Sequence, residues 1–189
     1  MCQLKTLKQA KKIIYWDPYH DHVAKERFDN VPDFMRCLSG HLKRGTGFSI
    51  ALSVDKPPEL LCIDLEKFCD IAWQIADGNK IVYVVIEEVA DAFDTTGKAK
   101  GRSGQIFRAG RSFGLIIFAT TQSVSEIPKT LVKQCGTKVV FYHNDYSDIP
   151  RAAQLAGHRP DDITALQVGQ YYIRSNRMLS GELKRTRKL

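Results

Sequence analysis

Two adjacent carboxylates, Glu87 and Glu88, close the run "KIVYVVIEE" (80–88), in which β-branched and aromatic residues lead straight into the acids. Such a run predicts a buried strand that delivers charge at its tip. Side chains alternate along a strand, so neighbouring acids point to opposite sides. One can then organise a metal ion while the other faces an attacking water, a division of labour that suits phosphoryl transfer. The competing reading is a strand that simply ends in solvent.

Two further stretches carry groups suited to the same chemistry. "FATTQ" (118–122) sets Gln122 behind another apolar run. An amide there can orient water or sense a γ-phosphate, and a plain turn is the alternative. "RAGRSFG" (108–114) holds Arg108 and Arg111 three apart, the spacing of one helix face. Arginines neutralise developing phosphate charge, from their own subunit or from a neighbour; a solvated or DNA-facing pair is the alternative. His20, His22 and His41 raise a metal reading. "HDH" puts two imidazoles on one side of an extended segment with Asp21 between them, but no third ligand stands at a zinc-binding spacing. No local pattern supports Ser-His-Asp or Cys-His catalysis.

These residues need elements to position them. "KIIYWDP" (12–18), "GFSIALSV" (47–54), "LIIFATTQ" (115–122) and "TKVVFYHN" (137–144) read as strands, nearly continuous in apolar residues. A helix is predicted over 1–12 from Leu4, Leu7 and Ala10, and another from Asn30 to Gly40. The clearest helix is "IDLEKFCDIAWQIADG" (63–78), with Asp64 as its cap, Leu65, Phe68, Ile71, Ala72 and Ile75 as its apolar face, and Gly78 as its stop. Short helices are predicted over 105–114, 127–136 and 147–158, and a helical turn with a final strand pair over 160–176. Helices alternating with apolar strands predict an α/β fold, a mainly parallel sheet with helices on both faces. Ligands bind at the carboxyl ends of such strands, where Asp17, Glu87, Glu88 and Gln122 fall.

The bulk composition sets outer bounds. The 189 residues, 43% hydrophobic and 26% charged, suit one globular domain with a proper core. The net charge of +7 favours polyanionic partners. Part of it sits in "KTLKQAKK" (5–12) and "ELKRTRKL" (182–189), so a core over 1–176 and a basic tail over 177–189 are expected. Five scattered cysteines without a CxxC pair suit a reducing compartment, and a cytoplasmic location is expected. No apolar run reaches the roughly 18–20 residues of a membrane span, and no leader pattern opens the chain.

The ordered segments "IIYWDP", "GFSIALS", "LEKFCDIAWQIA", "IVYVVIEEVADAF", "GQIFRAGRSFGLIIFATTQSVSEIPKTLVKQCGTKVVFYHN" and "ITALQVGQYYI" resemble the HerA/FtsK group of P-loop ATPases, especially the small genome-packaging ATPases of viruses and phages. The resemblance covers nearly the whole chain. It implies a RecA-like P-loop NTPase core that hydrolyses ATP with Mg²⁺ in a homo-oligomeric ring and moves double-stranded DNA. Capsid or portal-vertex proteins are implied partners, in the host cytoplasm or on the virion. Glu87 would take the place of the Mg²⁺-supporting Walker B aspartate, Glu88 that of the catalytic glutamate, and Gln122 that of the sensor. Arg111, or else Arg108, would act across a subunit boundary. Two departures stand out. Glu replaces Asp at 87, and no G-x-x-x-x-G-K-[ST] phosphate loop occurs. "TTGKAKG" (95–101) has Ala99 where a hydroxyl is needed, and "RGTGFS" (44–49) lacks the lysine. The expectation is that the first strand and its P-loop lie upstream of Met1, so that this chain alone is a poor ATPase. The rival readings are a non-enzymatic DNA-binding or assembly module and a secretion or phage-export ATPase.

Overall fold

A computed structural model describes residues 7, 9–93 and 97–186. Contacts divide the chain into two units. Met1–Gln122 with Ile127–Leu131 form the first, and Ser123–Glu126 with Val132–Leu189 the second.

Five strands build the first unit: β1 (Lys12–Trp16), β2 (Glu26–Phe28), β3 (Phe48–Leu52), β4 (Val82–Ile86) and β5 (Leu115–Ala119). They pair in the order β2-β3-β1-β4-β5, and every pairing is parallel. Register places Trp16 opposite both Leu52 and Ile86, and Ile86 opposite Ala119. The strands therefore end level, and Asp17, Ser53, Glu87 and Thr120 emerge together at one rim. Ile13, Tyr15, Ala51 and Val85 pack on one face of the sheet. On the other, Trp16 meets Phe68 and Phe68 meets Phe34, with ring centroids 6.0 and 5.8 Å apart. Parallel strands buried on both faces explain why the sequence reads as unbroken apolar runs rather than alternation.

Phe34 belongs to α1 (Val31–Arg44) and Phe68 to α2 (Pro58–Gln74). Asn30 caps α1 by accepting the Asp33 N–H at 2.9 Å. Gly40 does not end it; the left-handed Gly45 (φ 67°) does. That cap, with Gly47 pressed against the Lys11 carbonyl, accounts for the glycines of "RGTGFS". In α2 the expected cap, Asp64, is instead a buried mid-helix residue paired with Lys56 and, at 3.0 Å, with Lys67. The helix opens at Pro58, whose fixed φ suits a first turn. It closes at Gln74, before Gly78.

Short helices α3 (Val89–Ala92) and α4 (Gly101–Ala109) link β4 to β5, and a 3₁₀ turn over Gly110–Phe113 precedes β5. Arg108 and Arg111 thus fall in two different elements and share no single helix face. The Gly-Lys pair of "TTGKAKG" forms no phosphate cradle: the Gly97 carbonyl accepts the Lys129 N–H, and the Ala99 N–H donates to Thr130 Oγ1 at 3.0 Å. Of the helix expected over 1–12, residues 1–6 and 8 lie outside the described residues. The Ala10 N–H closes a turn onto Leu7, and β1 begins at Lys12.

Along the chain, α5 (Lys129–Gln134) follows. The second unit contains β6 (Thr137–Val140), α6 (Ile149–Ala156), α7 (Pro160–Thr164), β7 (Gln170–Ser175) and β8 (Glu182–Arg185). Its three strands form an antiparallel sheet, β6-β7-β8. Val124, Val140, Ala152, Ala153, Ala156 and Ile163 make a separate core. The stretch expected as a free basic tail from residue 177 therefore contributes an edge strand. Its side chains are all exposed, so the strand is held by main-chain pairing to β7 rather than by a pattern legible in its sequence.

Candidate active site

Asp17 follows β1 and is fully buried. It organises the next loop by accepting the N–H groups of Asp21 at 2.8 Å and His22 at 3.1 Å. Arg27, from β2, pairs with it at 2.7 Å, reaches Ser53 Oγ and donates to the His22 carbonyl at 2.5 Å. His22 is thereby fixed from its backbone, and Tyr15 lies against its ring at 5.1 Å. Its Nε2 meets Glu87 Oε2 at 2.5 Å. Burial pushes the Glu87 carboxyl up, but hydrogen bonds from His22 and Thr120 and the charge of His22 outweigh it. The net result is below the usual carboxylate value.

Glu88 faces the other way. Its backbone takes φ 44°, ψ 67°, a left-handed conformation that costs a non-glycine residue about 1–3 kcal/mol. Its carboxylate accepts the Gln122 N–H at 2.9 Å and the Thr121 hydroxyl at 2.9 Å. The Glu88 N–H approaches Thr120 Oγ1 at 3.3 Å, while the Val89 N–H donates to the Thr120 carbonyl at 2.9 Å. Burial is the largest influence on the acid and raises it; the bonds from Thr121 and Gln122 lower it, and the charges of Asp91 and Glu87 raise it again. The net position is above the usual value. Asp91 accepts from the Tyr19 hydroxyl, which is pushed up to about 12, first by that hydrogen bond and then by burial and nearby charge.

The two carboxyls are thus pushed in opposite directions, Glu87 down and Glu88 up. Environments that split two carboxyls in this way separate a charge-bearing role from a proton-accepting one. A carboxylate such as Glu87 is the kind of hard oxygen donor that could hold Mg²⁺, which is typically held by one or two carboxylates with several waters kept. Because His22 occupies Oε2, the donor set fits an ion held through its water shell.

No protein-family model matches the chain. Protein P9 of Pseudoalteromonas phage PM2 is 32% identical over 131 residues, 69% of this chain and 56% of P9. The chain thus spans little more than half the length of that relative. The genome packaging NTPase B204 from Sulfolobus turreted icosahedral virus 2 in complex with sulfate has a TM-score of 0.70, at 13% identity over 97% of this chain and 85% of that chain. Its complex with AMPPCP gives 0.66, at 12% identity over 97% and 86%. B204 from Sulfolobus turreted icosahedral virus, a DNA-packaging ATPase, gives 0.64, at 15% identity over 96% and 86%. The fold is that of a viral genome-packaging NTPase.

In this fold the rim brings together Glu87, Glu88 and Gln122 from the expected set. Gln122 contributes its backbone N–H to Glu88, and the residue itself is exposed. The arginines are elsewhere. Arg108 donates to the Ala99 carbonyl at 2.8 Å. Arg111 stands before Leu115, at the opposite end of a five-residue strand, about 17 Å long at the usual rise. Sequence reasoning missed His22 as a partner of Glu87, Arg27 as the brace behind it, and Thr120 and Thr121 as the frame of Glu88. The "TTQ" tripeptide was the available sign for the last two. Nothing local pairs His22 with a residue 65 positions away.

Proposed function

We propose that the complete protein is an ATPase that drives double-stranded DNA into a capsid. The observation that carries this is Glu88: a buried, strained acid with a raised pKa, beside an ionised Glu87, at the strand tips of a fold shared with a packaging NTPase bound to AMPPCP. Glu88 accepts the proton of the attacking water. The Gln122 N–H and Thr121 hydroxyl hold its carboxylate in place, and the Gln122 side chain senses the γ-phosphate. Glu87 would hold Mg²⁺, which when bound would supply positive charge to the phosphate oxygens. Arg111, far from the acids of its own chain, serves the nucleotide of the next subunit in a homo-oligomeric ring.

The phosphate cradle is the missing part, and we propose that it lies outside these 189 residues. β5, "LIIFA", ends the parallel sheet, and among the described residues nothing pairs with its outer edge. An apolar open edge is a liability that proteins cover. A strand running into a Gly-Lys-Ser/Thr loop and laid along β5 would cover it and aim backbone N–H groups at the rim where Glu88 sits. The absence of G-x-x-x-x-G-K-[ST] from the sequence also favours a second reading, a DNA-binding or assembly module that no longer hydrolyses ATP.

ATP turnover by the complete protein tests both. Mg²⁺-dependent hydrolysis stimulated by duplex DNA is expected, with the 189-residue chain alone nearly inactive. DNA binding should be indifferent to sequence and fall by roughly one decade per decade of salt for each phosphate neutralised. DNA binding without nucleotide binding would favour the module.

A further inference from the structure

At the β2 edge of the sheet, far along the strand order from β5, three unlike donors converge. Glu26 stands on β2, and Cys37 and His41 stand one helical turn apart on α1. Their ligand atoms all lie within 4.8 Å of one another, and among the described residues they are the one such group of three. Cys37 Sγ donates to Glu26 Oε2 at 2.9 Å, and His41 Nε2 meets Glu26 Oε1 at 2.7 Å. All three are half-buried, and Glu26 and Cys37 line an open pocket of about 330 Å³ that a small ion and its water can enter.

The orientation of His41 is set from behind. The Thr46 hydroxyl lies 2.9 Å from His41 Nδ1 and can accept a proton from it. With the proton on Nδ1, the Nε2 lone pair is free to face a cation lying between it and Glu26 Oε1. A ring nitrogen whose partner N–H is tied to an oxygen is the usual arrangement of a metal-bound histidine. As the cluster stands, one proton on Sγ and one between Nε2 and Oε1 hold it together. A divalent cation replaces both.

We propose that Glu26, Cys37 and His41 bind a zinc-class divalent ion, with water as the fourth ligand. Thiolate, imidazole and carboxylate together suit a borderline-soft ion with no demanding geometry, and three protein ligands leave one position open. Binding releases the thiol proton and the shared proton to solvent while two positive charges enter, so the charge of the cluster is unchanged. Burial, with the Glu26 carboxylate beside it, pushes the Cys37 thiol up to about 11, and Arg44 offsets only part of that rise, so the ion must displace the thiol proton. Neither the Glu87 and Glu88 pair nor the phosphate cradle takes part. The ion would fasten the three-residue edge strand to α1, and the inference stands whether or not the chain hydrolyses ATP.

The test is a Co²⁺ titration of the chelator-stripped chain, read by thiolate-to-cobalt charge-transfer absorption and followed by competition with Zn²⁺. One equivalent of Co²⁺ should bind with that band, and Zn²⁺ should displace it. Cys37→Ser should abolish the band, and Glu26→Gln and His41→Gln should each weaken binding by at least about 10–100-fold, the loss typical even of supporting residues. Cys135→Ser should retain the band in full. Far-UV circular dichroism of each variant checks folding. Zn²⁺ should also raise the melting temperature of the unsubstituted chain and leave that of Cys37→Ser unmoved. A stripped chain that binds Co²⁺ without a charge-transfer band overturns the site, as does a band that survives Cys37→Ser. The first result needs no variant to fold.

Discussion

Glu87 and Glu88 are neighbours in the chain, yet the flanks they face treat the same functional group in opposite ways. Toward β1 and β2, Asp17 and Arg27 brace a histidine that keeps Glu87 ionised. Toward β5, Thr121 and the Gln122 N–H grip an acid whose burial keeps it closer to neutral. The first flank needs no left-handed residue at Glu87. The second is reached only by turning Glu88 into the left-handed region. A carboxylate becomes a place to rest positive charge or a place to put a proton according to what surrounds it.

Neither flank brings a cation to the leaving phosphate, and that gap makes the largest prediction. An arginine supplied across an interface is worth about 10³–10⁵-fold in related phosphoryl transfers. In the complete protein, Arg111→Ala and Glu88→Gln should each be nearly dead alone. Mixed, they should recover activity, because some interfaces pair an intact acid with an intact arginine. ATP turnover across a series of mixing ratios checks this. A strictly linear series would place Arg111 outside the chemistry.

The next effect separates the two acids. Glu88→Gln should keep nucleotide binding and lose about 10²–10⁴-fold in turnover, the contribution of a general base. Glu87→Gln should instead raise the Mg²⁺ concentration needed for half-maximal rate. If the two variants share one Mg²⁺ profile, the division of labour is wrong.

How far the sequence foretold this arrangement depends on range. The strand under Glu87 and Glu88 was legible because Val82–Ile86 is apolar on both faces, and its level ending with β1 and β5 followed from the parallel α/β pattern. Asp64 misled because an acid just before an apolar face looks the same whether it caps a helix or sits inside one beside Lys67. β8 was invisible because an exposed edge strand, "ELKR", carries no alternation and is recognised only by its partner β7. The left-handed turn at Glu88 was equally hidden, since only a glycine or asparagine there would have announced it. His22 stood out as a histidine, but its partner could be found only in three dimensions.

A smaller effect appears in the pH dependence of stability. Glu87, with its folded pKa below the ordinary 4.5, contributes stability that is present above that value and lost as pH falls through the folded pKa. Glu88, raised above 4.5, contributes stability that is full below that value and lost as pH rises through its folded pKa. Relative to the unsubstituted chain, Glu87→Gln should therefore grow less stable as pH rises through the acid range, and Glu88→Gln more stable. Urea unfolding at a series of pH values reads both slopes, and slopes of the same sign would refute the contrast.

The smallest effect uses one substitution at both acids. Glycine costs about 0.5–1 kcal/mol at an ordinary extended position because it loses more conformational freedom on folding. Glu87 does not have a positive φ, so Glu87→Gly should pay that cost and lose the His22 contact as well, for about 1–2 kcal/mol of destabilisation. At Glu88 the left-handed backbone reverses the first term, since a glycine there carries no penalty that a side chain would. The substitution also removes a buried carboxylate, and the exposed Gln122 can pass its N–H to water. Glu88→Gly should then gain about 0.5–1 kcal/mol, the mark of a site kept strained for its chemistry. Urea midpoints of the two variants at neutral pH decide the matter. Equal destabilisation at both positions would mean that the turn at Glu88 stores no strain and that its placement against Thr121 rests on hydrogen bonds alone.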